Sequence, residues 1–303
     1  MASTSQFLAS RLFNVKGLRA LVSGGGTGIG LMATQALAAN GARVYITGRR
    51  QEMLDNVVKT HGQGSEGEII ALPGDVTNKD DIKRLVKEIE KREGGLHILI
   101  NNAGIAGPKT SAMSEDISVE ELAVKLFNED QSGWDDVFRT NVQNIFFTTV
   151  AFLPLLKKFT FGGDAAGKAI HDKYQSVVIN TTSISGLIKE PQNHMAYNAS
   201  KAAANHLQRM FTTAFASSGV RFNSIAPGVF PSEMTGQAAD ERNKVSLEGQ
   251  FDPKSLKVPA NRGGEDEEIG GTVLYLASRA GQYTNGAIIP VDGGTLATNP
   301  SSY

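Results

Sequence analysis

Alternation between two hydrophobic periods constrains this chain more than any other feature. Short runs of β-branched and apolar residues at Arg19–Ser23, Arg43–Thr47, Glu68–Leu72, Leu96–Ile100, Ser176–Thr181, Val220–Ile225 and Gly286–Pro290 have the length and composition of buried strands. Between them, Gly28–Asn40, Gln51–His61, Asn78–Glu93, Gly133–Lys157, His194–Ser217 and Glu265–Ser278 repeat apolar residues at helical spacing. Strands that alternate with helices return by right-handed crossovers, which builds a parallel sheet covered on both faces. No repeat, charge block or low-complexity linker interrupts the 303 residues. The pattern therefore predicts one doubly wound α/β domain over 16–298, with about seven strands and helices on both faces.

Three stretches depart from the alternation. Ile105–Ser132 is irregular, and Phe159–Gln175, with its Phe-Gly-Gly-Asp-Ala-Ala-Gly core, reads as a mobile surface excursion. Val229–Gly263 carries Phe230, Met234, Val245, Leu247, Phe251 and Leu256 among polar residues and reads either as a substrate lid or as a packed helix pair.

The 33 glycines are in excess, and their placement is informative. The first strand runs into Ser23-Gly24-Gly25-Gly26-Thr27-Gly28-Ile29-Gly30 and then a helix of Ala, Leu and Met. Such a turn aims unpaired backbone N–H groups and the positive end of a helix dipole at one point, as a pyrophosphate requires. The expected fold is accordingly Rossmann-type, with a dinucleotide held by Ser23, Gly24, Gly26, Thr27, Gly28, Ile29 and Gly30. Where the second strand ends, Thr47-Gly48-Arg49-Arg50 contains no acid for a ribose hydroxyl. Arg49 and Arg50 either pair with the 2′-phosphate of NADP or solvate a helix start. NADP(H) is the cofactor this pattern favours. After the third strand, Asp75 and Val76 flank the expected adenine pocket, although Asp75 could equally cap the helix beginning near Asn78.

Polar residues recur at the carboxyl ends of later strands. Asn101-Asn102-Ala103-Gly104 follows the fourth, and Thr181-Thr182-Ser183-Ile184-Ser185-Gly186 the fifth. Asn141 interrupts an otherwise apolar helix, where a buried amide must be paired structurally or placed for a purpose. Tyr197 and Lys201 stand four residues apart, on one face of a helix. A phenol near pKa ~10 is a poor acid–base group at neutral pH, but a neighbouring ammonium favours the phenolate and tunes it as a proton donor. By itself, Tyr-x-x-x-Lys is also the pattern of a surface helix pair. His194 reads as a solvated loop histidine or as a pocket residue, and the five histidines show no metal-ligand spacing.

Together these motifs resemble the short-chain dehydrogenases/reductases over roughly residues 14–296. The glycine turn has Ser23 where Thr is usual, Asn101-Asn102-Ala103-Gly104 matches the family turn, with Asn102, Ala103 and Gly104 among the cofactor contacts, and Asn141, Ser183, Tyr197 and Lys201 match its four catalytic positions, Tyr197 also touching the cofactor. Ser183 lies fourteen residues before Tyr197 instead of the usual thirteen, so Ser185 stays as a second candidate. Asn223-Ser224-Ile225-Ala226-Pro227-Gly228 and Val291-Asp292-Gly293-Gly294 agree as later landmarks, and Pro227, Gly228 and Phe230 join the expected cofactor contacts. The run Ala226–Thr235 is similar to rhamnolipid-pathway 3-oxoacyl reductases, whereas Ser218 stands where carrier-protein reductases often have Arg. The resemblance implies reduction of a ketone or 3-oxoacyl-like carbonyl to an alcohol. In that scheme Tyr197 is the general acid, Ser183 a donor to the same oxygen, Lys201 the ribose ligand and Asn141 the holder of a water. It also implies a homodimer or homotetramer built on Gly133–Lys157 and His194–Ser217, which carry Val137, Phe146, Val150, Leu207, Met210 and Phe211, and on the C-terminal segment. An NAD-linked secondary alcohol dehydrogenase is disfavoured by Arg49 and Arg50. A non-catalytic nucleotide sensor is disfavoured by retention of Tyr197 and Lys201.

Composition excludes other classes. A net charge of −1 provides no field for nucleic acid, and the absence of cysteine removes disulfides and thiol chemistry. The apolar run Ile145–Leu156 is well short of the roughly 20 residues a membrane span needs, so no membrane insertion is expected. Residues 1–15 read as a disordered tail in a cytoplasmic protein, with a mitochondrial transit peptide as the alternative, and 299–303 as a C-terminal tail.

Overall fold

The computed structural model describes residues 4–236, 238–249, 251–255 and 257–302. Among them seven strands form one parallel sheet: β1 (Arg19–Ser23), β2 (Arg43–Thr47), β3 (Glu68–Ala71), β4 (Ile98–Asn101), β5 (Val177–Thr181), β6 (Arg221–Pro227) and β7 (Ile288–Val291), in spatial order 3-2-1-4-5-6-7. The helices are α1 (Ala9–Leu12), α2 (Gly28–Ala39), α3 (Gln51–His61), α4 (Lys79–Glu93), α5 (Val119–Phe127), α6 (Gln131–Phe138), α7 (Asn144–Lys158), α8 (Ala165–Ile170), α9 (Met195–Ala214), α10 (Asp266–Ala277) and α11 (Thr295–Thr298).

Successive strand residues point to opposite faces and so divide the core. Ala20 and Val22 of β1, Ile98 and Ile100 of β4 and Val177 and Ile179 of β5 pack with Leu31, Leu37, Leu54, Val57, Ile269 and Val273 from α2, α3 and α10. Leu21, Leu99 and Val178 face the other way, onto Leu85, Ile89, Ile145, Phe152, Ala204 and Phe211 from α4, α7 and α9. Strand order reverses beside β1, whose neighbours are β2 and β4, so the carboxyl ends of β1 and β4 diverge into a crevice.

Several segments differ from the sequence reading, among them Ile105–Ser132, where α5 forms behind a Ser118 cap. Within Phe159–Gln175, α8 forms instead of a mobile excursion, because Asp164 accepts from Gly167 N at 2.9 Å and from His97 Nε2 at 2.8 Å and also pairs with Arg19. His97 Nδ1 meanwhile accepts from Arg19 N at 3.0 Å, which fixes the imidazole as its neutral Nε2–H tautomer. The expected disordered N-terminal tail carries a 3₁₀ turn over Thr4–Phe7 and the single helical turn α1, closed by local bonds such as Leu12 N to Leu8 O at 2.9 Å. The expected C-terminal tail adds a short antiparallel bridge, Ser301 against Ile188, with Lys189 N donating to Pro300 O and Ser302 N to Leu187 O, both at 2.7 Å. Within Val229–Gly263 the described residues form turns, bends and irregular chain, not a helix pair. Leu256 lies outside the described residues, as do residues 1–3 and 303 of the two tails. No helix among the described residues is long and apolar enough to cross a membrane.

Candidate active site

The glycine turn leaves β1 at Gly24, whose φ of +67° is costly for any residue with a Cβ. A Cβ on Gly30 would lie 2.1 Å from Gly24 O, so the first turn of α2 can close on the strand end only with glycine there. Thr27, at the start of α2, makes no capping bond through its side chain, which leaves the helix's first backbone donors to an external acceptor. This uncapped helix N-terminus fits a dinucleotide phosphate.

Ser23 and Asn102 brace the turn. Ser23 is fully buried, and its Oγ accepts from Asn102 N at 3.0 Å and Ala103 N at 3.2 Å. Asn102 Nδ2 donates to Ser23 O and Gly24 O at 3.1 and 3.2 Å. These two residues, expected as cofactor contacts, are thus brought to the site as its scaffold. Phe230 departs further, since its ring is buried in the core beneath Gly264, where a Cβ would meet it at 2.2 Å. Asp75 does not cap α4. Asn78 does so itself, accepting from Asp80 N at 2.8 Å, while Asp75 Oδ1 accepts from Thr77 N and Thr77 Oγ1 at 2.9 and 2.7 Å. Val76 is buried, Pro227 ends β6, and Gly228 lies so close to Asp292 that a Cβ would sit 2.9 Å from its Cα.

At the end of β2 the two arginines part. Arg49 makes no side-chain hydrogen bond or ion pair with the described residues and is exposed. Arg50 donates to Glu233 Oε1 at 2.9 Å and Oε2 at 2.6 Å, a pairing that holds the carboxyl of Glu233 below its usual range. Sequence gave no sign of Glu233, which lies 183 residues away in the segment after β6. Asn243 in that segment is also buried, and its Nδ2 donates to Gly26 O and Met53 O at 2.8 Å.

The four catalytic candidates converge beyond β4 and β5. Asn141 lies in a π-helical turn, Arg139–Gln143, between α6 and α7, where the sequence predicts an unbroken helix. Its Nδ2 donates to Ile105 O at 2.9 Å and Ser200 Oγ at 3.0 Å, and its Oδ1 accepts from Ile105 N at 2.9 Å. Both amide hydrogens are used, and one lone pair of Oδ1 remains for a water. Gly104 keeps that place open, because a Cβ there would stand 3.0 Å from Asn141 Oδ1 and 3.6 Å from Lys201 Nζ.

Lys201 is buried on α9 and donates to Thr181 O at 3.0 Å. Burial pushes its ammonium down to about 8. Its Nζ lies 5.5 Å from the centre of the Tyr197 ring. Tyr197 is half-buried, and burial raises its phenol, opposed by the nearby hydroxyl of Ser183. The two hydroxyls thus lie within interaction reach of each other, at one place where a third oxygen could meet both. Ser183 begins a 3₁₀ turn, Ile184–Gly186, and accepts from Ser185 N at 3.0 Å. Ser185 Oγ instead donates to Gln192 Oε1 at 2.8 Å, so geometry favours Ser183 over its alternative. A Cβ on Gly186 would come within 2.5 Å of Lys201 C, which is why the Ser-x-x-Gly turn can lie against α9. His194 is half-buried, not solvated, and burial lowers its imidazole.

The chain belongs to the short-chain dehydrogenase/reductase family, a class of nicotinamide-dependent oxidoreductases, as its doubly wound sheet and glycine turn and the following similarities show. The family described as "Enoyl-(Acyl carrier protein) reductase" matches residues 24–295. The short-chain dehydrogenase/reductase PhomF of Diaporthe leptostromiformis is 41% identical over 300 residues, covering 99% of this chain and 98% of that protein. The rhamnolipids biosynthesis 3-oxoacyl-[acyl-carrier-protein] reductase of Pseudomonas aeruginosa is 32% identical, covering 93% and 97%. The solved RhlG/NADP active-site complex from Pseudomonas aeruginosa superposes with a TM-score of 0.75 at 31% identity, covering 94% of this chain and 98% of that one.

Proposed function

We propose that this enzyme uses NADP(H) to reduce a ketone or 3-oxoacyl-like carbonyl to the alcohol. The observation that carries the reading is the convergence of Tyr197, Ser183, Lys201 and Asn141 beside the glycine turn. Bound NADPH supplies the hydride for the carbonyl carbon. Tyr197 gives its phenolic proton to the carbonyl oxygen, and Ser183 donates a hydrogen bond to that oxygen as negative charge develops on it. Lys201 binds the nicotinamide ribose and favours the phenolate left behind, and a water on the free lone pair of Asn141 Oδ1 returns the proton. Arg49, without a side-chain partner among the described residues, is the main guanidinium for the 2′-phosphate, and Arg50 beside it helps. A panel of ketones and 3-oxoacyl thioesters, followed by NADPH consumption, should give turnover at roughly ten- to hundredfold higher kcat/KM than with NADH, the worth of one charge-assisted phosphate pair. Failure to reduce any carbonyl, or equal use of both cofactors, would overturn the corresponding half of the reading.

The proposed assembly is a homodimer or homotetramer through α7 and α9. Val137 and Phe211 are buried within the chain and drop out of the expected interface, but Phe146 and Met210 remain exposed on those helices at 40% and 54%. Light scattering at micromolar concentration should therefore give at least twice the 32.3 kDa chain mass, and a monomer would remove the proposal.

A further inference from the structure

The phosphate-binding corner of the cleft is already held by an anion of this chain. Both terminal guanidinium nitrogens of Arg50, Nη1 and Nη2, donate to the Glu233 carboxylate, and Thr27 Oγ1, at the uncapped start of α2, donates to Glu233 Oε2 at 3.1 Å. The same segment lies on the glycine turn, since a Cβ on Gly28 would stand 3.0 Å from Ser232 Cβ. Thr235 pins this turn by donating to Phe230 O at 2.5 Å and accepting from Ser232 N at 3.1 Å.

From this placement we infer that Glu233 is a specificity-determining residue that competes with the cofactor's 2′-phosphate for Arg50. The inference rests on the NADP(H) reading above. A guanidinium fork satisfies one bidentate anion at a time. The more highly charged 2′-phosphate displaces the carboxylate, whereas NAD(H), lacking that phosphate, leaves it in place. Glu233 thus lowers affinity for the phosphorylated cofactor alone. Displacement also releases the Ser232–Thr235 turn from Arg50, which couples phosphate recognition to loosening of the segment over the cleft.

The test is direct binding of NADP⁺ and NAD⁺, by calorimetry, to wild type and Glu233→Gln, which removes the charge and keeps the shape. The dissociation constant for NADP⁺ should fall about tenfold, the value of one charge-assisted contact, with that for NAD⁺ unchanged within about twofold. In an Arg50→Ala background the same substitution should give no gain. Glu248→Gln, on the same exposed segment, should change neither constant if the effect belongs to the pair and not to net charge. If Glu233→Gln does not melt as a native protein, Glu233→Asp, still anionic but one methylene shorter, should move NADP⁺ binding in the same direction. A wild type that prefers NADP⁺ with no gain in Glu233→Gln, or an equal gain for both cofactors, overturns this inference. A wild type that binds NAD⁺ more tightly overturns the cofactor reading instead.

Discussion

Tyr197→Phe should lower turnover by at least two to three orders of magnitude, about what a positioned general acid contributes, while leaving the dissociation constant for NADP⁺ within about threefold. Ser183 Oγ keeps its bond from Ser185 N when the phenol is lost, and Phe fits the space the ring already fills. A fall in kcat without a fall in thermal stability is therefore the expected pattern. The two serines provide the internal control. Ser183→Ala removes a donor to the developing oxyanion and should cost about a hundredfold in kcat, the scale seen for one such donor. Ser185→Ala removes a hydroxyl already committed to Gln192 and should cost less than about threefold by the same measure. Near-wild-type turnover in Tyr197→Phe, or the reverse ranking of the serines, would sink the assignment of the tetrad.

The sequence reading did best where local pattern and tertiary burial agree. β1, β2 and α3 end where their periodicity ends, because each buries the face its apolar residues define. α5 escaped for the opposite reason. Its Val119, Val124 and Phe127 are periodic but stay exposed, so the segment carries a helical signal and a Ser118 cap without a core to confirm it. α8 is six residues long, and what holds it is Asp164 reaching His97 and Arg19, a contact no short window contains.

At the site, residue types were legible while their duties were not always so. Ser23 and Asn102 sit in the motif but spend their hydrogen bonds on the turn itself, and Phe230 is turned into the core. Asn141 was visible as a polar residue in an apolar helix, yet the π-turn that aims it depends on Ile105 and Ser200 from two other segments. Ser200 had a signal of its own, lying within the Tyr197–Lys201 turn and three residues after Tyr197, whose carbonyl it bonds at 2.7 Å. Glu233 had none. Pairing over so long a separation is a property of the folded cleft.

Lys201→Met should separate function from stability with opposite signs. Turnover should fall about a hundredfold or more, because the proposed roles at the ribose and beside the phenol both require an ammonium. Native stability at neutral pH should instead rise. Burial holds the folded-state pKa at about 8, below the ordinary lysine value of 10.5. Between those two values the unfolded chain binds more protons than the native one, so wild-type stability increases as pH rises through that window. Below it the charged lysine costs on the order of 3 kcal/mol, partly returned by its bond to Thr181 O. Methionine carries no such penalty and is matched to the volume. The difference in melting temperature between Lys201→Met and wild type should therefore be largest below pH 8 and shrink steadily above it. Cofactor affinity of the free wild-type enzyme should decline over the same alkaline limb as the ammonium is lost, and Lys201→Arg, which stays charged, should shift that limb upward. A stability difference independent of pH would mean that Lys201 is solvated, and a variant that lost stability and kept turnover would reverse both assignments.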